Sequence, residues 1–358
     1  MIQYAKTILL SLFLLGAVST CDASAEFSPS DERIAYVGRV SLTNPDKAVF
    51  TWPGVQLHYN FSGTSAKLRM KPDSGYFMVE VDDNEPKKVK STDAILTLAE
   101  GLPEGNHRIT VTSCNEGLRK HPEIYGLIFD DGHGLLEKPE LPVRKMEFIG
   151  NSITCGLGNE GDPKAKKFDN SMQNSYYTYE AIASRELNSQ WVVVARSGIG
   201  IYRKNNGNIK GDEANMPNMY ENVQFGLGGE KWDFSKYTPD VVCVNLGTND
   251  TSNPGYDMKL LTEAYVKFLK KIRGHYPEAK IVLLTGTMIN GKRLEDVKKA
   301  HRDAIAEAKS RGDNEVYTFD FTPEDGTMYG VFKHPSRKRH EKMAEELVPF
   351  IKEITGWE

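Results

Sequence analysis

Ser152, Asn249 and His334 are the side chains whose types and settings point to covalent chemistry. Ser152 lies in the stretch K-M-E-F-I-G-N-S-I-T-C-G, residues 145–156, where an apolar run at 146–149 stops at Gly150-Asn151-Ser152. The turn presents one hydroxyl at the carboxyl end of a strand, where open α/β sheets carry their ligands. Acyl transfer needs a nucleophile, a base beside it, and donors for the developing oxyanion. Ser152 supplies the nucleophile. A second apolar run ends in Gly247-Thr248-Asn249-Asp250, and Asn249 offers a side-chain N–H. Ser197-Gly198 follows a third run at 191–195, and a glycine there lets a backbone N–H approach a ligand closely. His334 precedes Pro335, and proline suits the first position of a helix. The positive helix end disfavours imidazolium, so the ring is expected to stay neutral, as a general base must.

Each feature alone has an ordinary explanation. A serine after a strand often caps the next helix. Asn and Asp form turns, a Ser-Gly pair makes a tight βα turn, and a histidine often sits in a polar surface loop. Their convergence is the signal: all lie just past a strand, or just before the last helix, of one α/β unit. The serine is not in G-x-S-x-G, so the α/β-hydrolase elbow is absent. The eight histidines show no H-E-x-x-H spacing, so no metal site is expected.

These residues need a parallel sheet to carry them. Strand-like runs at 146–149, 191–195, 241–245, 281–285 and 316–321 alternate with helical stretches at 176–187, 258–276, 294–311 and 335–354. That alternation indicates a parallel sheet with helices on its faces. Leu260, Leu261, Ala264, Tyr265, Phe268 and Ile272 recur at helical spacing and mark a core face. The segment 198–232 is rich in Gly and Asn and has no clear period, as in long functional loops. Residues 26–139 read differently. Short alternating runs at 48–52, 55–59, 66–70, 76–81, 107–112 and 124–129 are separated by turn clusters, as in a sandwich.

The chain has 358 residues, with 45 basic and 49 acidic side chains and a formal net charge of −4. Proteins that track nucleic acid carry a basic excess, so no nucleic-acid partner is expected. Residues 1–25 read as a secretory signal: Lys6, an apolar run at 8–18 too short to span a bilayer, then Ala23-Ser24-Ala25. The expected location is secreted or periplasmic. Cys21 gives an alternative, an outer-membrane lipoprotein whose lipid would be its membrane contact. Cys114, Cys155 and Cys243 have no spacing that specifies a disulfide and are expected as buried free thiols.

With these motifs in hand, the second unit resembles the SGNH (GDSL-type) hydrolases. That family carries a serine block like Gly150-Asn151-Ser152, a glycine like Gly198, an asparagine in G-x-N-D like 247–250, and a histidine before proline like His334, in this order. With the β unit in front, the chain from residue 26 resembles carbohydrate esterase family 2. The resemblance implies a jelly-roll domain at 26–139 and an SGNH domain with a flavodoxin-like parallel sheet at 140–358. It implies removal of acetyl groups from xylan, glucomannan or related sugars, with no cofactor. Ser152 would attack, His334 would take its proton, and the N–H groups of Ser152, Gly198 and Asn249 would hold the oxyanion. Other readings of the same residues are an esterase or thioesterase for another small acyl group, or a carbohydrate-binding protein with a vestigial site.

Two departures from the family pattern stand out. Asn151 replaces the usual Asp, and Val331 stands where D-x-x-H places the triad acid. Some members of that esterase family manage with a Ser-His dyad, and the resemblance implies the same here, the ring held by a carbonyl from residues 330–333; Asp320, Glu324 and Asp325 are the alternative partners. Tyr202, Tyr220 and Trp232, on the long loop, are candidates for stacking on sugar rings, or for local packing.

Overall fold

The computed structural model describes residues 25–118, 121–226 and 228–358. The segment read as a signal, with Cys21, lies outside them except for Ala25, which opens β1 (Ala25–Phe27). The front unit is two antiparallel sheets. One runs β3 (Ser41–Asn44), β4 (Lys47–Val49), β11 (Glu123–Phe129), β6 (Ala66–Met70), β9 (Ile95–Ala99), with β1 also paired to β11. The other runs β2 (Ala35–Val37), β5 (Gln56–Ser62), β10 (Asn106–Ser113), β7 (Tyr76–Val81), β8 (Lys87–Lys90). Alternation sends Leu57, Tyr59 and Phe61 of β5 and Ile109 and Val111 of β10 inward, against Leu68 and Met70 of β6 and Leu127 and Phe129 of β11. One core between two sheets is the sandwich that the short alternating runs implied.

The second unit is a five-stranded parallel sheet in the order β13 (Ser189–Ala195), β12 (Arg144–Gly150), β14 (Val241–Asn245), β15 (Lys280–Thr285), β16 (Val316–Asp320). Counted within the unit this is 2-1-3-4-5, the flavodoxin-like order. Successive strand residues face opposite sides. Phe148, Val193 and Cys243 pack under α1 (Tyr179–Glu186) and α5 (Arg337–Thr355). Ile149, Val194 and Val244 pack under α3 (Met258–His275) and α4 (Gly291–Ser310). β12 is flanked by β13 and β14, whose connections leave it in opposite directions. That switch opens a crevice at its carboxyl end, where Ser152 follows Gly150.

The segment 198–232 is not a loose loop. It holds the short helix α2 (Met216–Met219) and drives Ile199, Ile201, Met216 and Met219 into the core shared with α3 and α4. Its order comes from apolar residues spaced without a helical or strand period, so pattern reading could not see it. The helix after His334 also begins later than expected. Ser336 is its cap, its hydroxyl accepting from the Arg339 N–H, and Arg337 is its first residue. Pro335 instead pairs with Tyr329 in an isolated bridge.

The two units are joined by buried polar contacts. Arg39 of the β unit is fully buried against the rings of Tyr220, Trp232 and Phe234 at 4.8, 5.7 and 5.2 Å. It donates to the carbonyl of Tyr220 and lies 3.5 Å from Glu147 on β12. Glu147 also accepts from the hydroxyls of Tyr220 at 2.7 Å and Tyr276 at 2.9 Å. Ser175 donates to the carbonyl of Ser113 at 2.6 Å, and Gln56 to that of Trp191 at 3.2 Å. Deleting one partner of a buried ion pair strands the other charge. Arg39→Ala should therefore destabilise the folded chain by about 3–5 kcal/mol, read as a lower urea midpoint; a midpoint unchanged from wild type would show that the pair carries no such weight.

Candidate active site

Four loops bring the expected residues to one cleft. Ser152, Gly198, Asn249 and His334 line it together with Leu157, Ser197, Asn205, Thr248, Ser252, Met288 and Arg293, around a space of about 350 Å³. The Ser152 hydroxyl and His334 Nε2 are 2.8 Å apart, although the residues stand 182 positions apart in sequence. Ser152 is 8% exposed, so the hydroxyl is sheltered yet reachable from the cleft.

The serine turn is held from below. Asn151 accepts from the Ile153 N–H at 3.0 Å and donates to the Asn245 carbonyl on β14 at 3.2 Å. An aspartate could not make the second bond when ionised, which is what Asn151 gains over the family's Asp. Gly150 is required because a Cβ there would lie 2.1 Å from Thr154 Oγ1.

The histidine loop docks on the serine loop through backbone. The Val331 N–H donates to Gly158 O at 3.0 Å and the Arg337 N–H to Asn159 O at 2.8 Å. Gly158 has φ +69°, and a side chain there would meet Val331 Cβ at 2.7 Å. Phe332 and Lys333 both take left-handed φ, 54° and 61°, unusual for residues with side chains. Burial lowers the His334 pKa below that of an ordinary imidazole, while the carbonyls of Val331 and Phe332 oppose this by favouring a proton. Because helix α5 starts only at Arg337, burial rather than the helix end is the main cause of the shift. Nδ1 makes no hydrogen bond of ordinary geometry among the described residues.

None of the three carboxylates considered as a triad acid bonds this ring. Asp320 accepts from the Thr285 hydroxyl at 3.1 Å and pairs with Lys298. Asp325 accepts from Thr327. Glu324 accepts from the Gly326 and Met328 N–H groups and lies 3.6 Å from Arg339. The two carbonyls beside the ring belong to the stretch from which a holding carbonyl was expected.

Donors for an oxyanion face the same space. No partner among the described residues takes the backbone N–H of Ser152 or of Gly198. Asn249 donates one amide hydrogen to Ile199 O at 2.7 Å, which fixes the side chain and leaves its second N–H unspent. The loops carrying Gly198 and Asn249 are tied by Asp250, fully buried, which accepts from the N–H groups of Ile201, Tyr202, Arg203 and Gly247 at 2.9–3.2 Å. Burial raises its pKa and these bonds oppose the rise.

The three aromatics offered for sugar stacking are elsewhere. Tyr220 is fully buried with its hydroxyl on Glu147, and Tyr202 is 6% exposed with its hydroxyl accepting from the Asp257 N–H. Trp232 packs on the same core beside Arg39. None lines the cleft. Tyr202 and Tyr220 belong instead to the apolar core that also takes in Val37 and Trp52 of the β unit, and Trp232 packs against it partly buried.

Sequence reading passed over Glu116. It comes from the β unit, is 8% exposed, and reaches into the second unit. Its carboxylate accepts from the Ser197 N–H at 2.8 Å, from the Ser197 hydroxyl, and from Cys155 Sγ at 3.6 Å. Ser197 adjoins Gly198 and Cys155 belongs to the serine turn, so one side chain clamps both. Burial raises its pKa, and the Ser197 bonds counter this. Nothing in C-N-E-G distinguished this glutamate from a solvated loop residue.

A carbohydrate esterase 2 N-terminal family model matches residues 36–139, and the GDSL-like lipase/acylhydrolase family model matches 148–346. A solved family two carbohydrate esterase from Clostridium thermocellum, in complex with cellohexaose, is 35% identical with a TM-score of 0.83, covering 91% of this chain and 100% of that one. The chain belongs to carbohydrate esterase family 2. Among named relatives, the cellulase/esterase CelE of Acetivibrio thermocellus is 36% identical over 330 residues, 90% of this chain but only 40% of CelE. This family 2 chain thus spans less than half of that protein. An acetylxylan esterase/glucomannan deacetylase of Cellvibrio japonicus is 28% identical over 95% of this chain and 94% of its own length.

Glu116 positions two loops by hydrogen bonding, so its removal should be felt in turnover more than in binding. A displacement of about 1 Å at a reacting group can cost about 10²-fold. Glu116→Ala is expected to lower kcat by about 10–10²-fold with a smaller change in KM, and Glu116→Gln to restore most of it, since the amide keeps one acceptor and Ser197 Oγ can reverse its role. Equal losses in kcat and 1/KM, with no rescue by Gln, would assign Glu116 to packing alone.

Proposed function

We propose that this family 2 chain is a serine esterase that removes O-acetyl groups from plant polysaccharide, such as xylan or glucomannan, or from its oligosaccharides. The observation that carries the reading is the 2.8 Å contact between Ser152 Oγ and His334 Nε2, beside the Ser152 and Gly198 N–H groups, which no acceptor among the described residues takes. The names of the relatives supply the acyl group and the class of alcohol.

In this reading the Ser152 oxygen attacks the acetyl carbonyl as Nε2 of His334 takes its proton. The carbonyl oxygen, now negative, sits among the N–H groups of Ser152, Gly198 and Asn249. His334 returns the proton to the departing sugar oxygen, leaving acetyl-Ser152. Water, deprotonated by the same ring, attacks the acyl-enzyme and releases acetate. The Val331 and Phe332 carbonyls stabilise the transient imidazolium, the task a triad carboxylate performs elsewhere. The apolar run at 8–18 followed by Ala23-Ser24-Ala25 supports a secreted or periplasmic location, where such polymers are met.

Ser152→Ala should cut acetate release from acetylated xylan and glucomannan oligosaccharides by roughly 10⁴–10⁶-fold, and Asn249→Ala by about 10²–10³-fold. Comparison with longer acyl esters and with thioesters tests the acyl preference. Binding of these sugars with no acetate released by wild type would leave the binding-protein reading standing. His334 must be neutral to act, and its pKa is lowered, so activity persists into mild acid. The acid limb of kcat/KM should have its midpoint below the 6.5 of an ordinary imidazole; a midpoint above that value contradicts the assignment of burial as the dominant effect.

A further inference from the structure

Arg293 is the charged side chain among the described residues that line the cleft, and neither the motifs nor the reaction above uses it. The other described residues that line the cleft are neutral, His334 included when it acts as base, and none of them is acidic. Arg293 lies in the first turn of α4, where a cation is electrostatically unfavourable, so helix stability does not account for it. Its neighbour Lys292 pairs with Asp296, yet Arg293 faces no carboxylate among the described residues. Its Nη2 donates to the Thr248 carbonyl at 3.1 Å and its Nε reaches Thr251 Oγ1 at 3.4 Å. Those two neutral acceptors fix the guanidinium plane, and no acceptor among the described residues takes Nη1. The group is half-buried, so it is held in one orientation and only partly hydrated.

A guanidinium so fixed, uncompensated and beside an ester-cleaving serine is suited to a planar anion, because the fork matches a carboxylate. We infer that Arg293 recognises a carboxylate on the substrate, so that the preferred substrates are acetylated oligosaccharides carrying a uronosyl unit next to the acetylated sugar. The inference rests on the deacetylase reading above and names the substrate class within it. Arg293 is a specificity residue: its free N–H groups bind the carboxylate, and its bonds to Thr248 and Thr251 orient it. A lone clamp on the Thr248 loop would instead affect acidic and neutral substrates alike.

The test is acetate release from two matched probes, acetylated xylo-oligosaccharides with and without a glucuronosyl substituent. Wild type should show kcat/KM at least about tenfold higher on the acidic probe, a preference that shrinks as ionic strength rises from about 20 mM to about 500 mM. In Arg293→Gln the ratio of the two kcat/KM values should fall to about one, mainly through KM on the acidic probe, and Arg293→Lys should keep part of it. A wild-type ratio near one, or a ratio that Arg293→Gln leaves unchanged, overturns the inference while leaving deacetylation intact. If wild type releases acetate from neither probe, the deacetylase reading fails and this inference falls with it. The salt response of wild type decides the matter even where the Gln variant does not fold.

Discussion

A hydroxyl and an imidazole 182 residues apart are held at 2.8 Å, and everything else in the site is organised around that contact. No covalent link enforces it. The distance is set by main-chain hydrogen bonds between the loop after β12 and the loop before α5, Val331 to Gly158 and Arg337 to Asn159. Gly158 is where the two backbones come too close for a side chain. The left-handed residues Phe332 and Lys333 sit in the same turn, at a cost of about 1–3 kcal/mol each. Strain of that kind persists where the surroundings over-determine the backbone, and here the docked loops do so.

Three buried carboxylates do the remaining organisation, each in a different way. Asp250 accepts from backbone N–H groups of Ile201, Tyr202, Arg203 and Gly247 and so ties the loops after β13 and β14. Glu116 crosses from the β unit to hold Ser197 and Cys155. Glu147 receives two tyrosine hydroxyls and Arg39 at the base of the sheet. Burying an anion is costly unless each oxygen is bonded, so these groups fix geometry more than they add stability. Two of them depend on both units being present, which makes the β sandwich part of the catalytic unit's architecture.

The fold was legible because its signals are periodic. Alternating short runs and a strand–helix alternation reported the sandwich and the parallel sheet, and the four functional loops followed from glycines and polar residues at strand ends. What escaped were residues whose role depends on a distant partner. Glu116 looked like one more acid in a turn. Tyr202, Tyr220 and Trp232, in an aperiodic loop, were open to sugar stacking or to local packing; Tyr202 and Tyr220 lie in the core and Trp232 packs against it. Burial of an aromatic is decided by what packs over it, and 198–232 carries no local period that reports this.

By itself the amino-acid order determined the two architectures, the chain order of Ser152, Gly198, Asn249 and His334, and the absence of a D-x-x-H acid. These are local properties: strand period, turn chemistry, and residue type at a strand end. Tertiary structure alone decided which groups touch. It brought the Val331 and Phe332 carbonyls to the His334 ring, seated Glu116 under Ser197, and turned Arg293 into the cleft. Each of those depends on how separate loops dock, and docking is set by backbone hydrogen bonds and packing between segments that share no sequence neighbourhood.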